Sequence, residues 1–437
     1  MNCTKLKPYL QSCIQNPQKT LPTVIDIRNP KDFRILHASN SINICPNDLH
    51  ERLYELPTKD FPIILIFDLN FEHQNLNDSG VAIQKSIQNK LEDFWILDSE
   101  TRNQKQFENV NLCLEKLLSR GWYVDILVLW EELGNETVEM YKKMNVLSSG
   151  DLYYTLYKPN PSLKKQIEKI ETNIIKLKYP NFAKVSLNKL VENGKSLTNC
   201  TNIKETKLKI LDIGCGVGRD LGYLATRKAI YSFKDTLVIT GVQEQDKILV
   251  DWIFYGIDSL DFCLVKARAL LYRLGIENTM ELYHATINKS GSIIPAKNSR
   301  DLETSQIFKI LKDCISKNSR MSEYKSDTNE ILKDVFKKDI NDLPKTFDMV
   351  VSIRFLNIDF IKKSLYGMLN KGGIFFVSTF VKGVEGAKSF DKPSDSHCLK
   401  FGQLNEMFSE MNYDILVDEI EFIEDGRPIN TFVAQKL

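Results

Sequence analysis

Asp212, Gly214, Gly216 and Gly218 are the residues whose types and spacing point most directly to chemistry. They stand in Lys207-Leu208-Lys209-Ile210-Leu211-Asp212-Ile213-Gly214-Cys215-Gly216-Val217-Gly218-Arg219-Asp220, where an apolar run ends in an acid and passes into glycines at every second position. Glycine lets the backbone turn sharply and admits a ligand where a Cβ would block it. A strand, glycine loop and helix in succession also aim backbone N–H groups at a bound molecule. The G-x-G-x-G spacing is not the G-x-G-x-x-G of dinucleotide enzymes. A second acid, Asp258, closes the run Trp252-Ile253-Phe254-Tyr255-Gly256-Ile257-Asp258. Its two oxygens can accept both hydroxyls of a ribose; as a bland alternative, it is an acid favoured by a helix N-terminus. Its place one strand–helix unit after the glycines favours the ribose role. Arg219 is read equally as a cofactor contact or a salt-bridge residue. Arg354, in Ser352-Ile353-Arg354-Phe355-Leu356, is a candidate substrate contact that could hold an anion by a bidentate grip, or else an arginine paired with a core acid.

D-x-G-x-G-x-G after a strand resembles motif I of the class I S-adenosylmethionine (SAM) methyltransferases. Further segments narrow the likeness: Gly218-Arg219-Asp220; Ser352-Ile353-Arg354-Phe355-Leu356; Thr379-Phe380 with Lys392-Pro393 and Phe401-Gly402-Gln403-Leu404; and the ending Glu424-Asp425-Gly426-Arg427-Pro428 followed by Thr431-Phe432-Val433-Ala434-Gln435-Lys436. Together they resemble the tellurite-resistance-type methyltransferase family over most of residues 156–437. The resemblance implies SAM as cofactor, held by Asp212, Gly214, Cys215, Gly216, Gly218, Arg219 and Asp258, with Asp212 near its methionine end. It implies direct in-line methyl transfer to an acceptor, here read as a small molecule. The family often has a His after the Arg-aromatic-Leu segment, where this chain has Asn357. No Asn/Asp-Pro-Pro-aromatic segment follows Ser352, and no Pro-Cys nucleophile is present. His284 and His397 are read as structural histidines, not bases.

The elements that must position these residues form an α/β pattern. Strands are expected over 207–213, 252–258, 347–353 and 372–380, and helices over 164–177, 220–228 and 260–274. Ser162 and Ser259 are expected as N-caps of the first and last of these helices. A terminal antiparallel hairpin is expected from 413–420 and 431–436 around Asp425-Gly426-Arg427-Pro428. Residues 193–205 read as a loop, and 232–250 and 287–345 as insertions, the second polar with two helical stretches. The expected fold is Rossmann-like, with a mostly parallel sheet.

Ahead of this core, residues 1–147 read as a separate α/β domain, and residues 150–437 as the methyltransferase domain. The order Asp26-Ile27-Arg28, then His37 to Pro46 containing Ser41-Ile42-Asn43-Ile44, then an apolar strand over 62–67, resembles a rhodanese-like domain. That resemblance implies a catalytic cysteine after the strand, but Ile66-Phe67-Asp68-Leu69-Asn70 puts Asp68 there. A carboxylate cannot replace the thiolate nucleophile that sulfur transfer needs. The module is therefore read as inactive, with Asp26, Arg28 and His37 structural or solvated, and with a protein partner as a possible role. Sulfurtransferase activity through Cys45 or Cys113 is the third-ranked reading, behind a non-catalytic SAM-binding scaffold.

Composition excludes little but bounds the class. The 58 basic and 57 acidic residues nearly cancel, which offers no signal for nucleic acid or an anionic membrane. The apolar runs at 63–67 and 126–130 fall far short of the roughly 20 residues of a membrane helix. Nine cysteines lack a C-x-x-C pair, and no metal site is expected. With no signal-peptide pattern at the start, the reading is a cytoplasmic protein with reduced thiols.

Overall fold

In the computed structural model, residues 2–15, 23–39, 41–59, 61–68, 104–150, 157–179, 182–191, 203–235, 247–276, 279–296, 338–423 and 425–437 are described. The chain divides into two compact units, Met1–Lys158 and Pro159–Leu437. The division falls later than the expected boundary at residues 147–150.

The first unit is built on β1 (Asn2–Lys5), β2 (Thr23–Asp26), β3 (His37–Ala38), β4 (Ser41–Asn43), β5 (Ile63–Phe67), β6 (Val124–Leu129) and β7 (Leu147–Ser148). Strands β1-β6-β5-β2-β4 form a parallel sheet, and β3 and β7 pair separately. Every residue of Ile63-Ile64-Leu65-Ile66-Phe67 is buried, as expected of a central parallel strand covered on both faces. One face packs on α1 (Leu6–Gln15). The other packs on α3 (Gln104–Ser119), which follows the short α2 (Pro30–Ile35). Helix α4 (Asn135–Lys143) precedes β7. The polar residues singled out from the sequence are tied internally. Arg28 pairs with Asp26 at 2.8 Å, donates to the Leu36 carbonyl at 2.8 Å, and lies 3.3 Å above the Trp130 ring. His37 donates through Nδ1 to the Phe33 carbonyl at 2.7 Å. Cys113 is wholly buried, and burial pushes its thiol up to about 12.

The second unit begins with α5 (Pro161–Lys178). Its apolar positions Leu163, Ile167, Ile170 and Ile174 follow helical spacing and are all buried. Each such side chain contributes about 1.5–3 kcal/mol on full burial, against about 1 kcal/mol for an N-cap, so packing holds this helix. The cap itself is Asn160, whose side chain accepts from Leu163 N–H at 3.0 Å. Ser162, expected as the cap, lies inside the helix and donates to Glu421 at 2.8 Å. Pro161 at the first helical position makes the preceding residue the cap.

The strands that follow are β8 (Phe182–Val191), β9 (Ile203–Ile213), β10 (Lys228–Asp235), β11 (Lys247–Asp258), β12 (Met280–Ile287) and β13 (Ile293–Pro295). After them come β14 (Phe347–Ile353), β15 (Leu369–Lys382), β16 (Leu399–Lys400), β17 (Tyr413–Phe422) and β18 (Pro428–Lys436). The main path is β13-β12-β11-β9-β14-β15-β18-β17. Pairings β12/β11, β11/β9, β9/β14 and β14/β15 are parallel, and β15/β18 and β18/β17 antiparallel. Helix α6 (Arg219–Thr226) follows β9 and α7 (Asp261–Leu274) follows β11. Helices α8 (Ile358–Lys363) and α9 (Leu365–Met368) link β14 to β15, and α10 (Gln403–Ser409) precedes β17. The chain moves outward from β9 to β11 and β12, then crosses to β14 and moves the other way. The order thus reverses between β9 and β14, the place where open α/β sheets bind ligands beyond their strand ends. Alternate residues feed two cores: Leu208, Ile210, Met349, Val351 and Phe376 face α5, α6 and α7, and Leu211, Ile213, Val350, Phe375 and Val377 face α8 to α10.

The expected core strands and the terminal hairpin are present. Residues 232–250 differ from the expected insertion: β10 and the first half of β11 pair antiparallel there, and β8 adds to β10. Of the expected loop at 193–205, β9 already takes in Ile203 onward, and the rest lies outside the described residues. Ser259 does not cap α7; Leu260 is its N-cap, and Asp258 Oδ1 accepts Leu260 N–H at 2.8 Å. Most of the insertion at 287–345, with its two helical stretches, lies outside the described residues. Among the described residues no helix is long and apolar enough to cross a membrane.

Candidate cofactor-binding site

Asp212 sits one residue from the end of β9, in register with Gly256 of β11 on one side and Val351 of β14 on the other. It is 4% exposed, and no hydrogen-bond donor reaches its carboxylate among the described residues. Burial, then the charges of Asp220 and Asp258, hold its pKa well above the usual carboxylate range. A buried acid without a donor is costly, so this arrangement suits a site that a ligand completes.

The loop after it is built for close approach. Gly214, Gly216 and Gly218 have φ of +74°, +54° and +74°, a region that disfavours a Cβ. Gly214 and Cys215 both donate to the Ile257 carbonyl, at 2.9 and 3.0 Å. This stitches the loop to the end of β11. A Cβ on Gly214 would stand 2.8 Å from that of Phe355, and one on Gly218 3.1 Å from that of Ala267. At Gly216 nothing among the described residues lies within 4 Å of that position. Two of the glycines therefore serve packing, and the third faces a gap. Cys215 is buried, and burial with the nearby acids pushes its thiol well up; its N–H and carbonyl are both engaged within the loop and β11.

Asp258 reaches across from the end of β11, its Oδ2 accepting Gly216 N–H at 2.9 Å while Oδ1 accepts Leu260 N–H. Asp258 thus stands before the helix and also at the glycine loop. A carboxylate has about four acceptor positions, so these two bonds leave capacity for hydroxyl donors. Arg219 opens α6, and its charge acts on Asp220 and Arg354. Asp220 Oδ1 accepts Asn160 N–H at 2.6 Å, fixing the start of α5 at this edge of the sheet, a link that the spacing of these residues does not announce.

Arg354 lies just beyond β14 with φ +54°, its N–H donating to the Ser378 carbonyl at 2.8 Å. Its guanidinium is 5.5 Å from the centre of the Phe380 ring, and that of Arg427 is 4.6 Å from the same ring. Asp425 accepts from Arg427 Nε at 2.8 Å. Segments noted separately in the sequence thus meet at one place. His284 Nε2 donates to the Ser259 carbonyl at 3.1 Å. Among the described residues no group of three or more His, Cys, Asp or Glu side chains could hold a metal ion.

No family model matches the chain. The uncharacterized Schizosaccharomyces pombe protein UNK4.09 is 23% identical over 425 residues, covering 94% of this chain and 93% of that protein. Among solved structures, a SAM-dependent methyltransferase from Aquifex aeolicus is 12% identical, covers 53% of this chain and 82% of its own, and has a TM-score of 0.27. A Geobacter sulfurreducens SAM-dependent methyltransferase in complex with S-adenosyl-L-homocysteine is 11% identical over 54% of this chain and 86% of its own, with a TM-score of 0.29. The [4+2]-cyclase SpnF is 13% identical over 53% of this chain and 76% of its own, with a TM-score of 0.28. Likeness at these levels carries no argument about activity, and the functional reading rests on the geometry of the chain itself.

Proposed function

We propose that the second unit binds SAM and transfers its methyl group to a small acceptor. The observation that carries this reading is the buried, donor-less Asp212 beside a loop whose Gly216 faces a gap, at the point where the sheet order reverses. The residues present fit the cofactor chemically. Asp212 would accept from its ammonium group, which also relieves the cost of a buried carboxylate. Gly214, Cys215, Gly216 and Gly218 would let the backbone pass along it, and Asp258 would accept from its ribose hydroxyls. When bound, SAM supplies an electrophilic methyl on a sulfonium leaving group. The chain then has to orient and dry the reacting groups, not to provide a strong acid or base.

The first unit is read as a non-catalytic rhodanese-like module. Supporting this, Asp68 follows β5 where a nucleophile would stand, and Cys113 is a buried thiol far from ionising at neutral pH. Its internally tied polar residues suit a stable folded module, and docking of a protein partner is the role proposed for it. The test of the enzyme reading is transfer of labelled methyl from SAM into a fractionated cell extract. Label in a small-molecule fraction is expected. SAM binding with no label in any thiol, selenide, RNA or protein pool would instead make the chain a SAM-binding scaffold.

A further inference from the structure

The ring of Phe380 lies beneath two guanidiniums that no single acid inside the unit neutralises. Asp425 pairs with Arg427, and Asp220 is engaged with the Asn160 N–H. Among the described residues the guanidinium of Arg354 has no hydrogen-bond acceptor, and the residue is exposed. Desolvation, then the positive charges of Arg427 and Arg219, push its pKa below the usual arginine value, though an arginine stays charged. Arg354 also holds a left-handed backbone, pinned to the Ser378 carbonyl, a conformation that disfavours any residue with a Cβ. Its neighbour Phe355 touches the glycine loop at Gly214. Below, Ser378 and Thr431 lie opposite one another in register, on the same strand faces as Phe380 and Ile429. Each is 1% exposed, and neither hydroxyl has a hydrogen-bond partner among the described residues.

We propose that Arg354, with Phe380 and Arg427, forms the acceptor subsite, and that the acceptor is an organic carboxylate. This rests on the methyl-transfer reading. A guanidinium fork matches a planar carboxylate with two parallel hydrogen bonds. The half-buried Phe355 and Phe390 give the carbon body of such an acceptor apolar contact, which a bare inorganic anion could not use.

The experiment is calorimetric titration of benzoate, benzamide and sulfate into the full chain saturated with S-adenosylhomocysteine. Benzoate is expected to bind, and benzamide and sulfate are not. Arg354→Gln should weaken benzoate about tenfold or more, Arg427→Gln by less, and Arg354→Lys should keep part of the affinity. S-adenosylhomocysteine affinity should stay within about twofold in all three variants. Benzoate binding unchanged by Arg354→Gln overturns the proposal, as does equal binding of sulfate. Equal weakening of benzoate and S-adenosylhomocysteine also overturns it, because the arginine would then serve the cofactor's own carboxylate. Failure of S-adenosylhomocysteine to bind the unaltered chain counts against the methyl-transfer reading alone. Benzoate titrated into the unliganded chain, with and without Arg354→Gln, then decides the subsite by the same outcomes.

Discussion

Both units carry buried charge beside the end of a parallel strand, and they treat it in opposite ways. In the first unit Asp26, at the end of β2, is met by Arg28 through two nitrogens, and Arg28 is itself held by Leu36 and Trp130. In the second unit Asp212, near the end of β9, is also buried, yet no donor among the described residues meets it. A charge satisfied inside the fold holds the fold together, and a charge left unmet is kept at a cost. That cost is what a functional site carries when its ligand, not the protein, supplies the partner. The second unit contains the internal solution as well. Glu171, fully buried on α5, accepts from Tyr231 at 2.6 Å and Trp252 at 2.8 Å and pairs with Arg227. Among the described residues, the unmet acid at Asp212 thus stands in contrast to Glu171 within the same unit.

The contrast can be broken or sharpened by substitution. The largest effect on stability is expected from Arg28→Ala, which leaves Asp26 buried and unpaired at a cost of about 3–5 kcal/mol. Calorimetry should show one unfolding transition lowered, while the affinity for S-adenosylhomocysteine is unchanged. Next are the glycines. Gly214→Ala combines left-handed backbone, at about 1–2 kcal/mol, with overlap on Phe355, so it should lower the melting temperature more than Gly216→Ala. Gly216→Ala meets no neighbour among the described residues and carries only the backbone cost, but it fills the gap. Its loss of S-adenosylhomocysteine affinity should exceed its loss of stability, the reverse of Gly214→Ala.

The smallest stability effect, and of opposite sign, is expected from Asp212→Asn without ligand. The folded pKa of Asp212 is raised above its unfolded value. Its stabilising contribution is thus present at low pH and lost as pH rises through the folded pKa. Removing the charge should raise the melting temperature at pH 8 by about 2–4 °C for each kcal/mol relieved. The gain should fade as the pH falls toward the ordinary aspartate range. A melting temperature lowered at pH 8 would mean that the Asp212 carboxylate has an internal partner in the folded chain.

Much of this was legible in the chain because local pattern and function coincide. An apolar run ending in Asp212 and glycines at alternate positions specify a strand and an open loop with few alternatives. The second acid at Asp258 follows by the same logic. The terminal hairpin announced itself through alternation around Gly426-Arg427-Pro428. The antiparallel addition of β8 and β10 was missed because their short alternating runs hold many lysines, and pairing partners far apart in sequence decided the outcome. The caps misled for a local reason. Pro161 made Asn160 the cap, and the helix after β11 starts one residue later than a Ser259 cap requires, with Leu260 as its N-cap and Asp258 holding the Leu260 N–H. The meeting of Arg354, Phe380 and Arg427 is tertiary. Each stood in a noted segment, but only the order of β14, β15 and β18 in the sheet brings them together.

Asp212 is proposed to be left unpaired for a bound SAM. Titration of S-adenosylhomocysteine into the full chain and into Asp212→Asn tests it most directly. Saturable one-to-one binding by the unaltered chain is expected, weakened about tenfold or more by the substitution. No binding by the unaltered chain, or equal binding by both, would contradict it.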